Sequence, residues 1–373
     1  MMKKIFRIYY ILFLCLILTG CWDSLDVNDK TVIYSVGIDR NEGNVEYHNE
    51  VSKSSNNNGG EQSGIFIVSA SGKNFELARI NIEAKDPNPS FLGAIRVVAF
   101  SHRYAEDGIE SYLNRIDGLP DYRKALIPII SREPSLEFLN VTVNNSISVG
   151  FLIEEILGDL SKRGKAVYSN VGDLLAIVSQ KTVGYLMPYF GIDKDAIKLL
   201  GYAVMKDSKY VGLIDLENTK GTLYLLAKKP IISELIDTGE YENNPISFVV
   251  NLKKRNFDFE YKQDKLMINV ELNVKADLIY QYSIKNVDED QIKKLEILIS
   301  NNIKKEVEKS IKDSQYKYKC DIYNFAKFFK AKNNSMYEKI NWEDEFINAD
   351  VSVVVNTKIT STNFMDTEAK KEY

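Results

Sequence analysis

Histidine is nearly absent from this chain: His48 and His102 are the only two among 373 residues. Imidazole is the side chain that most readily exchanges protons near neutral pH, and it is a common ligand of transition metals. With two copies far apart in sequence, a His-based triad or a His-rich metal centre has little to build on. Each histidine is expected to be an ordinary surface or strand residue. Cysteine is almost as scarce, with Cys15, Cys21 and Cys320. Long apolar runs are missing from the start of the chain too. Ile8–Leu18 spans eleven residues, short of the roughly 20 that a membrane-spanning helix requires.

That run follows Lys3, Lys4 and Arg7 and closes on Leu18-Thr19-Gly20-Cys21. A cationic start, a short apolar centre and small residues before a cysteine have the form of a bacterial lipoprotein signal. Small side chains admit extended backbone to a peptidase, and the Cys21 thiol can carry a thioether-linked diacylglycerol. Residues 1–20 are therefore read as a signal peptide, and Cys21 as the lipidated first residue of an extracytoplasmic, membrane-anchored chain. Two acyl chains hold a stable anchor where one does not. Cys320 is then the one free thiol left, so no intramolecular disulfide can form and packing must hold the fold.

The remainder is 45% hydrophobic and 27% charged, a normal balance for building a core, and its length favours two or three domains. The net charge is −4, and −7 once Lys3, Lys4 and Arg7 are removed. An acidic chain does not grip nucleic acid through its overall field.

Alternation in "TVIYSVGID", "NVEYHNEVS" and "IFIVSAS" predicts strands, with a polar loop over 53–64. A short helix is expected to start at Asp23 and Asp26, and further helices over 74–84 (stopped by Pro87 and Pro89), in "RYAEDGIESYLNRI", in "SISVGFLIEEILGDLSKRG" up to Gly164, and in "GDLLAIVSQ". "AIRVVAF" and "KALIPII" read as buried strands. After Pro188 three short strands are expected in 200–229, turning at Asp207-Ser208 and around Asn218–Gly221. A hairpin follows with Gln263-Asp264 at its tip and Leu266, Ile268, Val270, Leu272 and Val274 on one face. A long helix opened by Asp288 carries Ile292, Leu295, Ile299, Ile303, Val307 and Ile311 as one stripe, and Val351, Val353, Val355 and Ile359 form a last strand. The fold class is α+β (mixed α/β) and multidomain. An N-terminal α/β-type domain covers 21–192, and an antiparallel-sheet α+β region with one long C-terminal helix covers 193–365. A further split near 245 stays open, and 366–373 is a polar tail.

The chemical motifs fail on detail. "GDLSKRGKA" is not a phosphate loop: five residues separate its glycines, and Ala166 stands where Ser or Thr should hold Mg²⁺. "DEDQ" at 288–291 is not a Ca²⁺ loop, because Lys293 and Ile299 occupy the positions of the required Gly and Glu. Ser314-x-x-Lys317 matches one fragment of a serine acylase signature without its companions. Glu343, Asp344 and Glu345 beside Trp342 read as a solvated loop. The lysines of the long helix, Lys293 to Lys312, could face anionic headgroups, but Lys304–Glu308 and Glu308–Lys312 fit a solvated face better.

Several segments together resemble one family, the Ger(x)C spore germination lipoproteins. "GCWDSLDVNDKTVIYSVGID" (20–39) is similar to the family's opening, and "AIRVVAF" and "LMPYFGI" follow in its order. "GYAVMKDSKYVGLIDLENTKGTLYLL" (201–226) resembles its hairpin, with Met205 for the usual aromatic, and 291–329 resembles its long helix and the Asp-Ile-aromatic segment after it. The resemblance implies the C subunit of a nutrient germinant receptor on the outer face of the spore's inner membrane. It would be a non-enzymatic protein without cofactor or catalytic residue, partnered by two integral-membrane subunits in a receptor for a small nutrient germinant such as an amino acid. Only Cys21 carries over, as the lipidated residue. Two other classes make different demands on the fold. A solute-binding lipoprotein of an uptake transporter should show two similar doubly wound lobes. A wall or lipid hydrolase should cluster a nucleophile and a base in one cleft.

Overall fold

The computed structural model describes residues 30–52, 64–86, 88–144, 146–179, 183–237, 245–281 and 289–361. Cys21, the Asp23–Asp26 helix start, loop residues 53–63, Pro87, residues 241–244, Asp288 and the 366–373 tail lie outside them.

A mixed sheet organises the first part. Its central strands, β1 (Thr31–Asn41), β5 (Val97–Ser101), β6 (Ile127–Ser131) and β7 (Tyr185–Asp193), run parallel. Antiparallel strands flank them: β2 (Asn44–Ser52) and β3 (Ile65–Gly72) on one side, β8 (Ala196–Lys206) and β9 (Lys209–Asp215) on the other. A short β4 (Ser90–Phe91) pairs with β1. β5 and β6 are buried at every position, as strands covered on both faces must be. One face packs α1 (Phe75–Glu83), α2 (His102–Asp107), α3 (Glu110–Gly118) and α6 (Val171–Val178) around Val98, Phe100, Tyr104 and Tyr112. The other packs α4 (Ser135–Leu139) and α5 (Val149–Lys162) around Val97, Ala99, Ile129 and Phe190. The single helix expected in "RYAEDGIESYLNRI" is two, because Gly108 at φ 120° breaks it.

The expected division at 192/193 falls beside the β7–β8 turn, and the first sheet runs on to Asp215. The third strand expected after it is instead a short 3₁₀ turn and a helix, α7 (Lys220–Leu226). Five of its seven residues are buried, and a short apolar run buried all round has no periodicity to tell strand from helix. Gly221 decides the packing: a Cβ there would meet the Glu306 carbonyl oxygen at 2.3 Å.

The second sheet has the order β10 (Ile231–Ile236), β11 (Ile246–Lys262), β12 (Lys265–Tyr280), β13 (Asp350–Ser361). Its first three strands are antiparallel, whereas β13 runs parallel to β12, since the chain returns through α8 (Glu289–Lys312) and the short helices α9 (Phe325–Lys332), α10 (Asn334–Tyr337) and α11 (Trp342–Asn348). Leu266, Ile268, Val270, Leu272 and Val274 are all buried beneath Leu295, Ile299, Ile303, Val307 and Ile311 of α8, the expected stripe. Gln263 and Asp264 both take positive φ at the hairpin tip, as do Asp207 and Ser208 between β8 and β9. Glu343, Asp344 and Glu345 are not loop: they form the first turn of α11, where the helix dipole favours acids.

Candidate functional site

Among the described residues, buried polar chemistry gathers in several places, three of which open a cavity or fasten helices and sheets together. The first lies where the chain enters the fold. The Thr31 amide donates to the Pro89 carbonyl at 3.0 Å and its hydroxyl to Asp86 at 2.6 Å, fixing the start of β1. Beside it opens a cavity of about 370 Å³ lined by Ile33, Asn49, Glu76, Arg115, Leu119 and Tyr122. The hydroxyls of Tyr47, Tyr112 and Tyr122 form a closed triangle with sides of 2.9, 2.7 and 3.1 Å. Burial pushes Tyr47 and Tyr112 well above the ordinary phenol range, so they act as neutral hydrogen-bonding groups. Arg115 pairs with Glu76 at 3.5 Å, and its Nε and the Asn49 Oδ1 are buried without a hydrogen-bond partner. A guanidinium, a carboxylate and phenols against an apolar wall can hold a small zwitterionic or anionic molecule.

The second place is a polar seam on the opposite face of the same hairpin. Glu50 accepts the Val149 and Gly150 amides at the N-terminus of α5, at 2.7 and 3.2 Å, and the Ser35 hydroxyl at 2.5 Å. Burial raises its pKa despite these bonds. Asp39 accepts the amide of Ser135 at 2.8 Å, and its hydroxyl, at the start of α4. Burial there acts to raise the pKa, but the polar groups of His48, Ser101 and Ser135 outweigh it, and the net shift is downward. The contacts are close: a Cβ on Gly37 would lie 2.6 Å from Ser135 Oγ, and one on Gly150 would lie 2.2 Å from Ser35 Oγ. Two carboxylates on β1 and β2 thus fasten two helix N-termini to the sheet.

The third place joins the two sheets. The Gly184 amide donates to the Asp321 carbonyl at 3.0 Å, the Tyr318 hydroxyl to the Leu213 carbonyl at 2.9 Å, and Lys206 Nζ to the Lys319 carbonyl at 3.1 Å. Asp321 is fully buried and accepts the Tyr323 and Ala326 amides at 3.0 and 2.8 Å and the Trp342 indole at 3.2 Å. Burial nonetheless raises its pKa. Nearby, burial pushes the Cys320 thiol up to about 12, which leaves it unreactive near neutral pH. A cavity of about 450 Å³ opens at this junction between Tyr168, Tyr185, Lys228 and Asn324.

The residues singled out in sequence distribute unevenly over these places. Cys21 lies outside the described residues, ten positions before β1. His102 opens α2, half-buried, with Nδ1 3.2 Å from the Tyr189 hydroxyl and Nε2 3.4 Å from Glu106. His48 sits on β2 and is buried. Ser314 donates to the Cys320 carbonyl at 2.6 Å, while Lys317 reaches the Tyr318 hydroxyl at 3.1 Å, so the pair does not meet. Gly164 at φ 67° ends α5, with Lys165 N to Leu160 O at 2.8 Å and Gly164 N to Ser161 O at 2.9 Å, the bonding of a Schellman cap. Lys304 and Glu308 pair on α8 at 3.7 Å. Asp39, Glu50, Arg115 and Asp321 were missed. Asp39 closes the "Gly-Ile-Asp" step and Asp321 opens the "Asp-Ile-aromatic" segment, the one signal in the sequence that marks either carboxylate.

Fold and sites together define a two-sheet α+β protein whose polar chemistry is spent largely on fastening elements together. Residues 23–192 match the family described as "Spore germination protein N-terminal domain", and residues 200–363 match "Spore germination B3/GerAC like, C-terminal". The chain belongs to the GerAC family of germinant receptor C subunits, which act in spore germination. Similar proteins include Spore germination protein YndF of Bacillus subtilis (strain 168), 21% identical with 95% of this chain and 96% of that one covered. Spore germination protein KC of the same strain is 20% identical, covering 100% and 99%. Spore germination protein GerQC of Bacillus cereus is 22% identical, covering 95% and 98%. The crystal structure of the GerBC protein shares the fold, with a TM-score of 0.58 at 14% identity over 87% of this chain and 96% of that one.

Proposed function

We propose that this chain is the lipid-anchored, non-enzymatic subunit of a nutrient germinant receptor. It would be tethered through Cys21 on the outer face of the spore inner membrane and would work beside two integral-membrane subunits. The observation that carries the reading is positional. The match to the family's N-terminal domain begins at residue 23, two residues after the lipobox cysteine. Among the described residues no helix is long and apolar enough to cross a membrane, so attachment of these domains would rest on the anchor. Thr31 lies ten positions after Cys21, a leash of at most about 35 Å. That leash would keep the Arg115 cavity close to the headgroups and raise the effective concentration of membrane partners.

Two similar lobes would favour a solute-binding lipoprotein, but the two sheets differ in strand number, order and direction. The test is partition of wild type and Cys21→Ala between membrane and soluble fractions. The expected result is wild type in the membrane and a folded variant in the soluble fraction. Equal membrane retention of both would overturn the anchor.

A further inference from the structure

We propose that Asp39, Glu46 and His48 form a binding site for one divalent transition-metal ion, of which zinc is the natural probe. Asp39 and Glu46 face each other across the β1–β2 ladder, and His48 follows two residues along the same face of β2. Their ligand atoms all lie within 4.8 Å of one another. The His48 Nε2 is 3.5 Å from Asp39 Oδ2 and 3.9 Å from Glu46 Oε2. Tetrahedral ligands held about 2.1 Å from zinc are spaced about 3.4 Å apart, so small rotations of exposed Glu46 bring the set to bonding distance.

The independent sign is the imidazole itself. The His48 side chain is 5% exposed, and its Nε2 has no hydrogen-bond partner. Nδ1 lies 2.8 Å from the hydroxyl of Ser69, its cross-strand neighbour on β3. With the proton on Nδ1 and donated to Ser69, the Nε2 lone pair faces two carboxylates. Three electron-rich groups converging on one point repel unless a cation sits among them. A Ser-oriented imidazole with two carboxylates is the donor set and outer-sphere arrangement of an N,O-ligated zinc, cobalt or nickel ion. Glu46 is the open side: its side chain is about one-third exposed and its other oxygen is held by Asn41 at 3.2 Å. The competing reading places a proton on Nε2 and makes His48 a simple partner of Asp39. In that case no metal binds.

The experiment uses the full chain in detergent, purified without a polyhistidine tag, stripped with chelator and titrated with Zn²⁺ and Co²⁺. The expected result is one equivalent bound, a saturable rise in Tm, and visible Co²⁺ absorption of a low-coordinate N,O site. His48→Gln and Glu46→Gln should abolish all three, and Ser69→Ala should weaken affinity about 10- to 100-fold. Glu46→Gln, at the open edge of the site, keeps the test decisive should His48→Gln fail to fold. Absence of saturable binding in the wild type, or binding unchanged in Glu46→Gln, would overturn the proposal.

Discussion

Asp321 shows at the residue scale how this fold spends its buried charge. One carboxylate serves two backbone amides and the Trp342 indole. Asp321→Ala should leave three buried donors unpaired, each costing roughly 1–3 kcal/mol. The expected outcome in thermal unfolding is a large loss of stability, well beyond that of a surface Asp→Ala control. Cys320 makes a second expectation. With its thiol pushed up to about 12, an alkylating reagent near neutral pH should leave it unmodified in the folded chain and label it on unfolding. Labelling of the native protein at the rate of an exposed thiol would contradict the structure. The sequence carried the types of these residues but not their company. Asp39 and Ser135 are 96 positions apart and Glu50 and Val149 are 99 apart, and no local pattern announces such pairs.

At the scale of elements, legibility followed periodicity. The α8 stripe and the alternation in β12 were readable because a helix with one buried face and a strand with one buried face each repeat visibly. Ile303→Ala, at the middle of that stripe and wholly buried, should cost about 2–5 kcal/mol, measured as a drop in Tm. The same reasoning failed for Lys220–Leu226, buried on nearly every side, and for the helix pair at Gly108. The parallel return of β13 was also hidden, because strand direction depends on the path of intervening chain and not on the strand's own residues. Gly164 was legible as a cap. A Cβ there would meet the Lys229 carbonyl oxygen at 2.1 Å, and φ is 67°. Gly164→Ala should therefore loosen the join between α5 and the segment leading into β10, seen as faster amide exchange there.

On the scale of the whole molecule, the buried carboxyls set a pH dependence. Glu50 and Asp321 have raised values because burial disfavours their charge. A raised carboxyl contributes stability in full below its unfolded value of about 4, and loses it as pH rises through the folded value. Asp39 is lowered, so its contribution is present above about 4 and is lost as pH falls through its folded value. Stability should therefore decline as pH rises from about 4 through the folded values of Glu50 and Asp321, and should fall again in stronger acid as Asp39 is protonated. A Tm that climbs steadily from pH 5 to pH 7.5 would contradict this assignment. The two sheets are sewn together by 318–323 and by shared core residues such as Val204, Ile214, Tyr318 and Tyr323, so the transition should be a single cooperative one. The proposed membrane attachment of that unit through Cys21 is the central functional claim. It is tested most directly by nutrient-triggered release of dipicolinic acid from spores carrying Cys21→Ala as their sole copy of this chain. The expected outcome is a folded, mislocalised protein and strongly impaired release; normal release with normal membrane retention would contradict the anchor.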